Sequence, residues 1–116
     1  MIDYHKELVK ALESILPTHY EMVLKSDLET PCISYMEINN YSETEPLAHS
    51  IGYSRISYQI KVWGNKIADL QKYALMIDSA LRPLGWKRVS SGELYDREST
   101  MVQKILTYEA LAIENY

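Results

Sequence analysis

Apolar and polar residues alternate most regularly in the segment ISYQIKVW, which starts at Ile56. Successive side chains of a β-strand point to opposite faces of the sheet, so this alternation predicts a strand with one buried face and one polar face. We expect the strand to span about residues 53–63. Its apolar row is Ile56, Tyr58, Ile60 and Val62, and its polar row is Arg55, Ser57, Gln59 and Lys61.

Two other segments carry apolar residues at the three- and four-residue spacing of an amphipathic α-helix. The first predicts a helix over about residues 2–16, which Pro17 ends. The second predicts a helix of about five turns after Asn65, a good N-cap residue, with Pro83 weakening the last turn and Gly85 ending it in a left-handed conformation. The apolar positions are Leu8, Val9, Leu12, Ile15 and Leu16 in the first helix and Ile67, Leu70, Ala74, Ile77, Leu81 and Leu84 in the second.

Four further segments favour strands, although their two faces are less cleanly separated. They lie around residues 19–25, at 32–41, at 86–96 with an interruption at 90–92 that predicts a bulge or bend, and at 101–113. Residues 42–50 lack periodicity and predict an exposed loop, and residues 96–100 predict a turn. The predicted order α-β-β-β-α-β-β favours one α+β domain over residues 1–116, in which two helices pack on one face of a single, mostly antiparallel sheet.

Composition and charge narrow the function classes. The formal net charge is −4 and the isoelectric point about 5.3, whereas a protein that binds nucleic acid through phosphate contacts needs clustered Lys and Arg. The sequence has no apolar stretch that suits a membrane span, and its first residues do not resemble a secretory signal. A single cysteine, Cys32, fits a reducing compartment. We therefore expect a protein made in the cytoplasm that binds neither nucleic acid nor a membrane.

No residue pattern in the sequence predicts a catalytic site or a cofactor-binding site. His5, His19 and His49 fall on a predicted helix, strand and loop without the spacing of metal ligands, so we expect no shared metal site. Cys32 follows Pro31 at the start of a strand and is best explained as a small buried residue. The glycines are scattered, so no phosphate-binding loop is predicted. The expected class is a non-enzymatic protein without cofactors.

The predicted loop and turn supply further candidates for function. Long loops are frequent contact sites, so their charged residues are candidates for partner contacts. These are Glu43, Glu45 and His49 in the loop and Asp96, Arg97 and Glu98 in the turn. The polar row of the central strand, from Arg55 to Lys61, is the other candidate surface.

Several segments together resemble the tail terminator proteins of long-tailed bacteriophages, which are also called tail-completion or tail-to-head joining proteins. The segments are TPCISY, YQIKVWG, LQKYALMIDSAL, LGWKRV and LTYEA, and the likeness covers about residues 1–113. It implies a sheet flanked on one face by two helices, and a structural protein with no catalytic or cofactor-binding residues. The absence of phenylalanine and the acidic loop at 42–50 depart from the family's pattern.

The resemblance implies that six copies form a ring at the head-proximal end of the tail tube. Such a ring stops the tube protein from polymerising and offers a surface to the connector of the head. The expected partners are further copies of this chain, the tail tube protein and the head connector protein, assembled in the host cytoplasm into the virion. DNA would pass through the channel without specific binding, since six copies at −4 carry about −24. The polar row would then face a neighbouring subunit or the channel.

Two other interpretations fit the same pattern. A head-completion or neck connector protein is also a small ring-forming protein that recognises flat assembled surfaces. A small cytoplasmic ligand-binding domain or enzyme would instead use a pocket beside Tyr35, Tyr58 and Trp63. A gene just upstream of the tail-tube gene would favour a terminator, whereas a saturable thermal shift with a metabolite would favour a ligand-binding domain.

Overall fold

The computed structural model describes the backbone of residues 4–21, 30–44, 51–96 and 101–115. Two α-helices and five strands occupy these ranges, and they follow the predicted order. The helices are α1 (Tyr4–Glu13) and α2 (Ile67–Leu81), and a short 3-10 helix (Arg82–Leu84) continues α2. The strands are β1 (Thr18–Tyr20), β2 (Cys32–Thr44), β3 (Ile51–Gly64), β4 (Lys87–Asp96) and β5 (Met101–Asn115). Neither α1 nor α2 has the length and apolar composition needed to cross a membrane.

All five strands join one mixed sheet in the order β1-β2-β3-β5-β4. β1 pairs with β2 in parallel, and the other three pairs are antiparallel. β3 and β5 pair along the whole length of β3, from Ile51 opposite Asn115 to Gly64 opposite Val102. The predicted fold class, an α+β domain with a mostly antiparallel sheet and two helices, is confirmed.

The two helices and one face of the sheet share a hydrophobic core. Tyr58, Ile60 and Val62 of β3 are buried in it, as the alternation along β3 predicted. They pack with apolar side chains of both helices, which include Leu8 of α1 and Ile77 of α2. The other buried members are Leu12, Ile33, Leu70, Ala74, Leu81, Trp86, Val102, Leu106, Tyr108 and Ala110. The core therefore fixes which face of each strand the helices cover.

The long strands extend beyond the helix layer. The 14 residues of β3 span about 46 Å, whereas the 15 residues of α2 span about 22 Å. The longest dimension of the molecule is 54 Å. At the far end, where β3 begins, β3 pairs with β2 on one side and with β5 on the other, but no described strand pairs with the outer edge of β2 or β5. Unpaired strand edges of this kind can pair with another chain.

β2 is longer than the sequence pattern predicts. The pattern ends this strand at Tyr41 and begins a loop at residue 42, but residues 42–44 continue β2 opposite residues 52–54 of β3. β3 likewise begins at Ile51 instead of residue 53. Hydrogen bonds to the neighbouring strand hold these residues extended although their sequence does not alternate. The loop prediction is therefore wrong for residues 42–44, and residues 45–50 lie outside the described ranges.

The boundaries of other helices and strands differ from the predicted boundaries by a few residues. α1 ends at Glu13 instead of residue 16, and the short strand predicted around residues 19–25 is β1 at Thr18–Tyr20, with residues 22–29 outside the described ranges. The cap residue of α2 is Lys66 and not Asn65, and it makes no side-chain cap hydrogen bond. β4 is continuous, and in place of the bulge or bend predicted at residues 90–92 its register against β5 shifts between Arg88 and Ser90. An extra residue in one strand shifts the register without ending the strand.

The end of α2 follows the prediction. Pro83 lies in the 3-10 helix, and Gly85 adopts a φ of 93°, a left-handed conformation that a residue without a Cβ tolerates. The turn brings the backbone N–H of Trp86 to the carbonyl oxygen of Leu81, at 3.2 Å. The side chain of Trp86 is thereby placed in the core at the start of β4.

Candidate interaction site on the open sheet face

We call the sheet face away from the two helices the open face. The polar row of β3 lies on it, because its members alternate with the buried residues of the same strand: Arg55, Ser57, Gln59 and Lys61. Their partners on β5 are, in the same order, Leu111, Glu109, Thr107 and Ile105. Residues directly opposite each other in an antiparallel pair lie on the same face. The open face is therefore a mixed surface of charged, polar and apolar side chains.

Lys61 is bound within the chain. Its Nζ lies 2.6 Å from Oε1 of Glu21, and the two side chains are only 19% and 17% exposed. The same Nζ lies 5.9 Å from the ring centroid of Trp63, at cation–π distance. The second carboxylate oxygen of Glu21 is buried and has no hydrogen-bond partner among the described residues. Lys61 is therefore the cation that compensates a largely buried carboxylate.

The other end of the polar row is more accessible. Nε of Arg55 lies 3.1 Å from Oε1 of Glu109, and these side chains are 47% and 31% exposed. Between the two ion pairs, Gln59 is half-buried and Ser57 is buried. Arg55 and, in part, Gln59 are therefore the members of the row that are available to a partner, whereas the side chain of Lys61 stabilises the fold.

Apolar side chains flank the row. Leu94 of β4 and Leu111 of β5 lie on the open face, and both are more than half exposed. Trp63 is half-buried, and its Nε1 donates a hydrogen bond of 2.9 Å to Oγ of the buried Ser34. The open face therefore presents an exposed leucine near each end of the row and polar side chains between them.

The sequence pattern did not identify the partners that position the row. Glu21 is 40 residues from Lys61, and Glu109 reaches Arg55 only through the pairing of β3 with β5. The sequence shows only that the two members of each pair have opposite charges, and many other pairs of residues in the chain do so too. Strand order and register are therefore needed to recognise these pairs.

Of the loop and turn residues predicted to contact partners, Glu43 and Asp96 fall within the described ranges. Glu43 lies in β2 opposite Tyr53, so its assignment to a loop is wrong because the ladder with β3 includes it. Asp96 is the last residue of β4. Glu45, His49, Arg97 and Glu98 lie outside the described residues, and their contact role stays a prediction.

The three aromatic residues suggested for a ligand pocket do not share a face. Tyr35 and Tyr58 lie on the helix side, whereas Trp63 lies on the open face, because an odd separation along a strand reverses the direction of the side chain. A hydrogen bond of 2.8 Å joins the hydroxyl of Tyr58 to Nδ1 of His5. The ring of Tyr58 stacks on Trp86, with centroids 5.5 Å apart and an interplanar angle of 16°. Tyr58 is thus a core residue.

Cys32 is buried, as expected for a small apolar side chain at this position. Burial raises the pKa of its thiol, which disfavours the nucleophilic thiolate. His5 lies on α1 and His19 on β1, and His49 is outside the described residues. Within the part of the chain that the structure describes, no group of three or more His, Cys, Asp and Glu side chains could hold a metal ion.

The fold and the open face define a class of protein: a small α+β domain whose sheet is covered by helices on one side and presents a mixed surface on the other. No protein-family model and no curated protein matches the chain. The likeness to tail terminators therefore depends on the sequence segments and on the order of elements.

Lys61→Met is expected to lower the free energy of unfolding by about 1.5–3 kcal/mol, because it leaves the largely buried carboxylate of Glu21 without its cation. The matched control is Arg55→Met, which removes an ion pair at a more exposed site and is expected to cost about 0–1 kcal/mol. Urea unfolding followed by circular dichroism measures both variants. Equal losses would contradict the structural role of Lys61.

Proposed function

We propose that this chain is a phage tail terminator, a structural virion protein that forms a ring on the head-proximal end of the tail tube. The ring stops tube polymerisation and provides the surface that joins the head. The observation that supports this most is the open face, where Arg55 and its opposite residue Leu111 are exposed and Gln59 is half-buried. Neither α1 nor α2 covers this face, so it is available to a second protein chain. The resemblance of the sequence segments to tail terminators indicates which proteins these are: further copies of this chain, the tail tube protein and the head connector.

A closed ring of identical chains needs two different surfaces on each subunit, one for the neighbour on either side. We assign the first to the open face around Gln59. We assign the second to the projecting end of β2, β3 and β5, whose outer edges have no described strand beside them. A length of 54 Å lets this end reach a neighbouring subunit.

The charge of the chain suits a passage for DNA. Six copies at −4 carry about −24, which repels the phosphate backbone and disfavours tight binding in the channel. The partners are further copies of the chain, the tail tube protein and the head connector. We assign no enzymatic activity and no cofactor to the chain.

Gln59→Glu is expected to prevent ring formation while the monomer stays folded. Gln59 is half-buried in the accessible part of the row, and glutamate has nearly the same shape, so the change is mainly one of charge. Because a ring closes only when all its interfaces form together, a modest loss at each interface is multiplied. The matched control is Ser79→Glu, which adds the same charge at an exposed position of α2.

The wild type and both variants are mixed with the tail tube protein of the same genome, and capped tubes are counted by negative-stain electron microscopy. Urea unfolding checks that each variant is folded. We expect capping by the wild type and by Ser79→Glu, and little capping by Gln59→Glu. Full capping by Gln59→Glu would contradict the interface on the open face, and tubes left uncapped by the wild type would contradict the function.

A further inference from the structure

β4 (Lys87–Asp96) is an edge strand of ten residues. It pairs with β5 on one side, and no described strand pairs with its outer side. Each residue from Lys87 to Tyr95 is exposed, so neither α1 nor α2 covers the strand. The backbone groups on the outer side of β4 are therefore available to another strand.

This edge is separate from the two surfaces assigned to the ring. β4 pairs with residues 101–109 of β5, whereas the projecting end of the sheet includes the last residues of β5, which pair with the start of β3. A strand that pairs with β4 extends the sheet sideways and does not lie on the open face. Contact at this edge therefore leaves both ring surfaces free.

The charges of β4 are ordered so that the strand complements itself. The basic residues Lys87 and Arg88 begin it, and the acidic residues Glu93 and Asp96 lie towards its end. Two antiparallel copies place the basic start of one strand beside the acidic end of the other. Two parallel copies would instead place like charges side by side, which destabilises a strand pair.

One antiparallel register pairs β4 with itself along its whole length. The register against β5 shifts between Arg88 and Ser90, so Val89 is an extra residue in the strand. With Val89 set aside, Gly92 is the central residue of β4, with four residues on each side. The pairs around this centre are Ser91 with Glu93, Ser90 with Leu94, Arg88 with Tyr95 and Lys87 with Asp96.

These pairs satisfy two requirements of an antiparallel ladder. The two members of each pair lie on the same face of the sheet, as their partners on β5 show. No pair brings like charges together, and Lys87 meets a residue of opposite charge. Arg88 lies opposite Tyr95, a ring that is 60% exposed and against which a guanidinium can pack.

We propose that β4 pairs edge to edge with β4 of a second copy of this chain, antiparallel and centred on Gly92. Two sheets of five strands then form one sheet of ten, with the helices of both copies on the same face. The contact is isologous, so it closes with two chains and does not continue around a ring. It goes beyond the proposed ring and does not depend on it.

Sedimentation velocity of the full chain tests the dimer. The Gln59→Glu variant is measured beside the wild type, because it removes the proposed ring contact and leaves β4 unchanged. We expect both chains to show a monomer–dimer equilibrium with a Kd of about 10–100 µM, in the range of a small, transient interface. A chain that stays monomeric up to about 500 µM would overturn the proposal.

Lys87→Glu and Asp96→Lys are each expected to weaken the dimer about tenfold, because each places like charges opposite each other at two symmetric positions. An equimolar mixture of the two variants is expected to dimerise again, since opposite charges then meet at both positions. The matched control is Lys72→Glu, which makes the same change at an exposed position of α2 and is expected to dimerise as the parent does. Circular dichroism checks that each variant is folded. A mixture that stays monomeric, or equal weakening by Lys72→Glu, would overturn the pairing.

Cysteine cross-linking tests the register without a change of charge. A Cβ at position 92 meets no atom within 4 Å, so the monomer tolerates Gly92→Cys, and the natural Cys32 is buried. In the dimer the two Cα atoms of residue 92 lie about 4.5–5.5 Å apart, within the range of a disulfide. The control is Ser90→Cys, whose two copies lie about 13 Å apart along the strands. We expect mild oxidation to link Gly92→Cys into dimers and to leave Ser90→Cys largely monomeric, and equal cross-linking would overturn the proposal.

Discussion

Tyr58→Ala is expected to lower the free energy of unfolding by about 3–5 kcal/mol, a large share of the roughly 5–15 kcal/mol that stabilises a typical domain. Tyr58 is 4% exposed and lies in the middle of the strand that both helices cover. Its ring stacks on Trp86 and packs near Tyr35 and His5. Removing the ring therefore leaves a cavity where α1, β3 and the start of β4 meet.

The matched control is Tyr58→Phe, which keeps the ring and removes the hydroxyl that is bonded to His5. This loss of a hydrogen bond is expected to cost about 0.5–1.5 kcal/mol. Urea unfolding followed by circular dichroism gives both values. If alanine cost no more than phenylalanine, Tyr58 would not be the packing centre that its burial indicates.

The periodic alternation of apolar and polar residues predicted the helices and strands that have the core on one side and an exposed surface on the other. β3 has a core on one side and the open face on the other, so burial imposes the two-residue period that its sequence shows. α2 packs Leu70, Ala74 and Ile77 on the sheet and leaves its other side exposed, which imposes the helical period. The fold class could be derived from these elements because each needs a covering layer on one side.

Residues 42–44 show where this reasoning fails. They extend β2 because they form backbone hydrogen bonds with the facing residues of β3. Backbone hydrogen bonds do not depend on side-chain type, so the sequence pattern does not predict this extension. Ion pairs between distant segments, such as Glu21 with Lys61, also cannot be predicted from the pattern, because they depend on how the strands are arranged in the sheet. By contrast, the pocket suggested beside both Tyr58 and Trp63 conflicts with the sequence itself, because their odd separation along one strand places them on opposite faces.

The candidate interaction site on the open face was therefore predicted only in part. The sequence supplied the polar row of β3, but not which of its members are available. Arg55 and Lys61 are equivalent in the sequence pattern, and only the fold shows that Lys61 compensates Glu21 while Arg55 stays accessible.

Loss of this protein is expected to produce tail tubes far longer than those of the intact phage. A head-to-tail polymer that does not close on itself grows until its end is blocked. In our proposal a ring of this chain is the block, and without it heads have no surface to join. Supplying the wild type or Ser79→Glu from a plasmid is expected to restore normal particles, whereas Gln59→Glu is not.

The most direct test is electron microscopy of lysates from a phage whose copy of this gene carries an early stop codon. We expect over-long, headless tail tubes beside filled heads, because tube growth is no longer stopped. Tails of normal length that lie detached from heads would contradict the terminator function and place the protein at the neck. Intact, infectious particles would contradict any essential role in the virion.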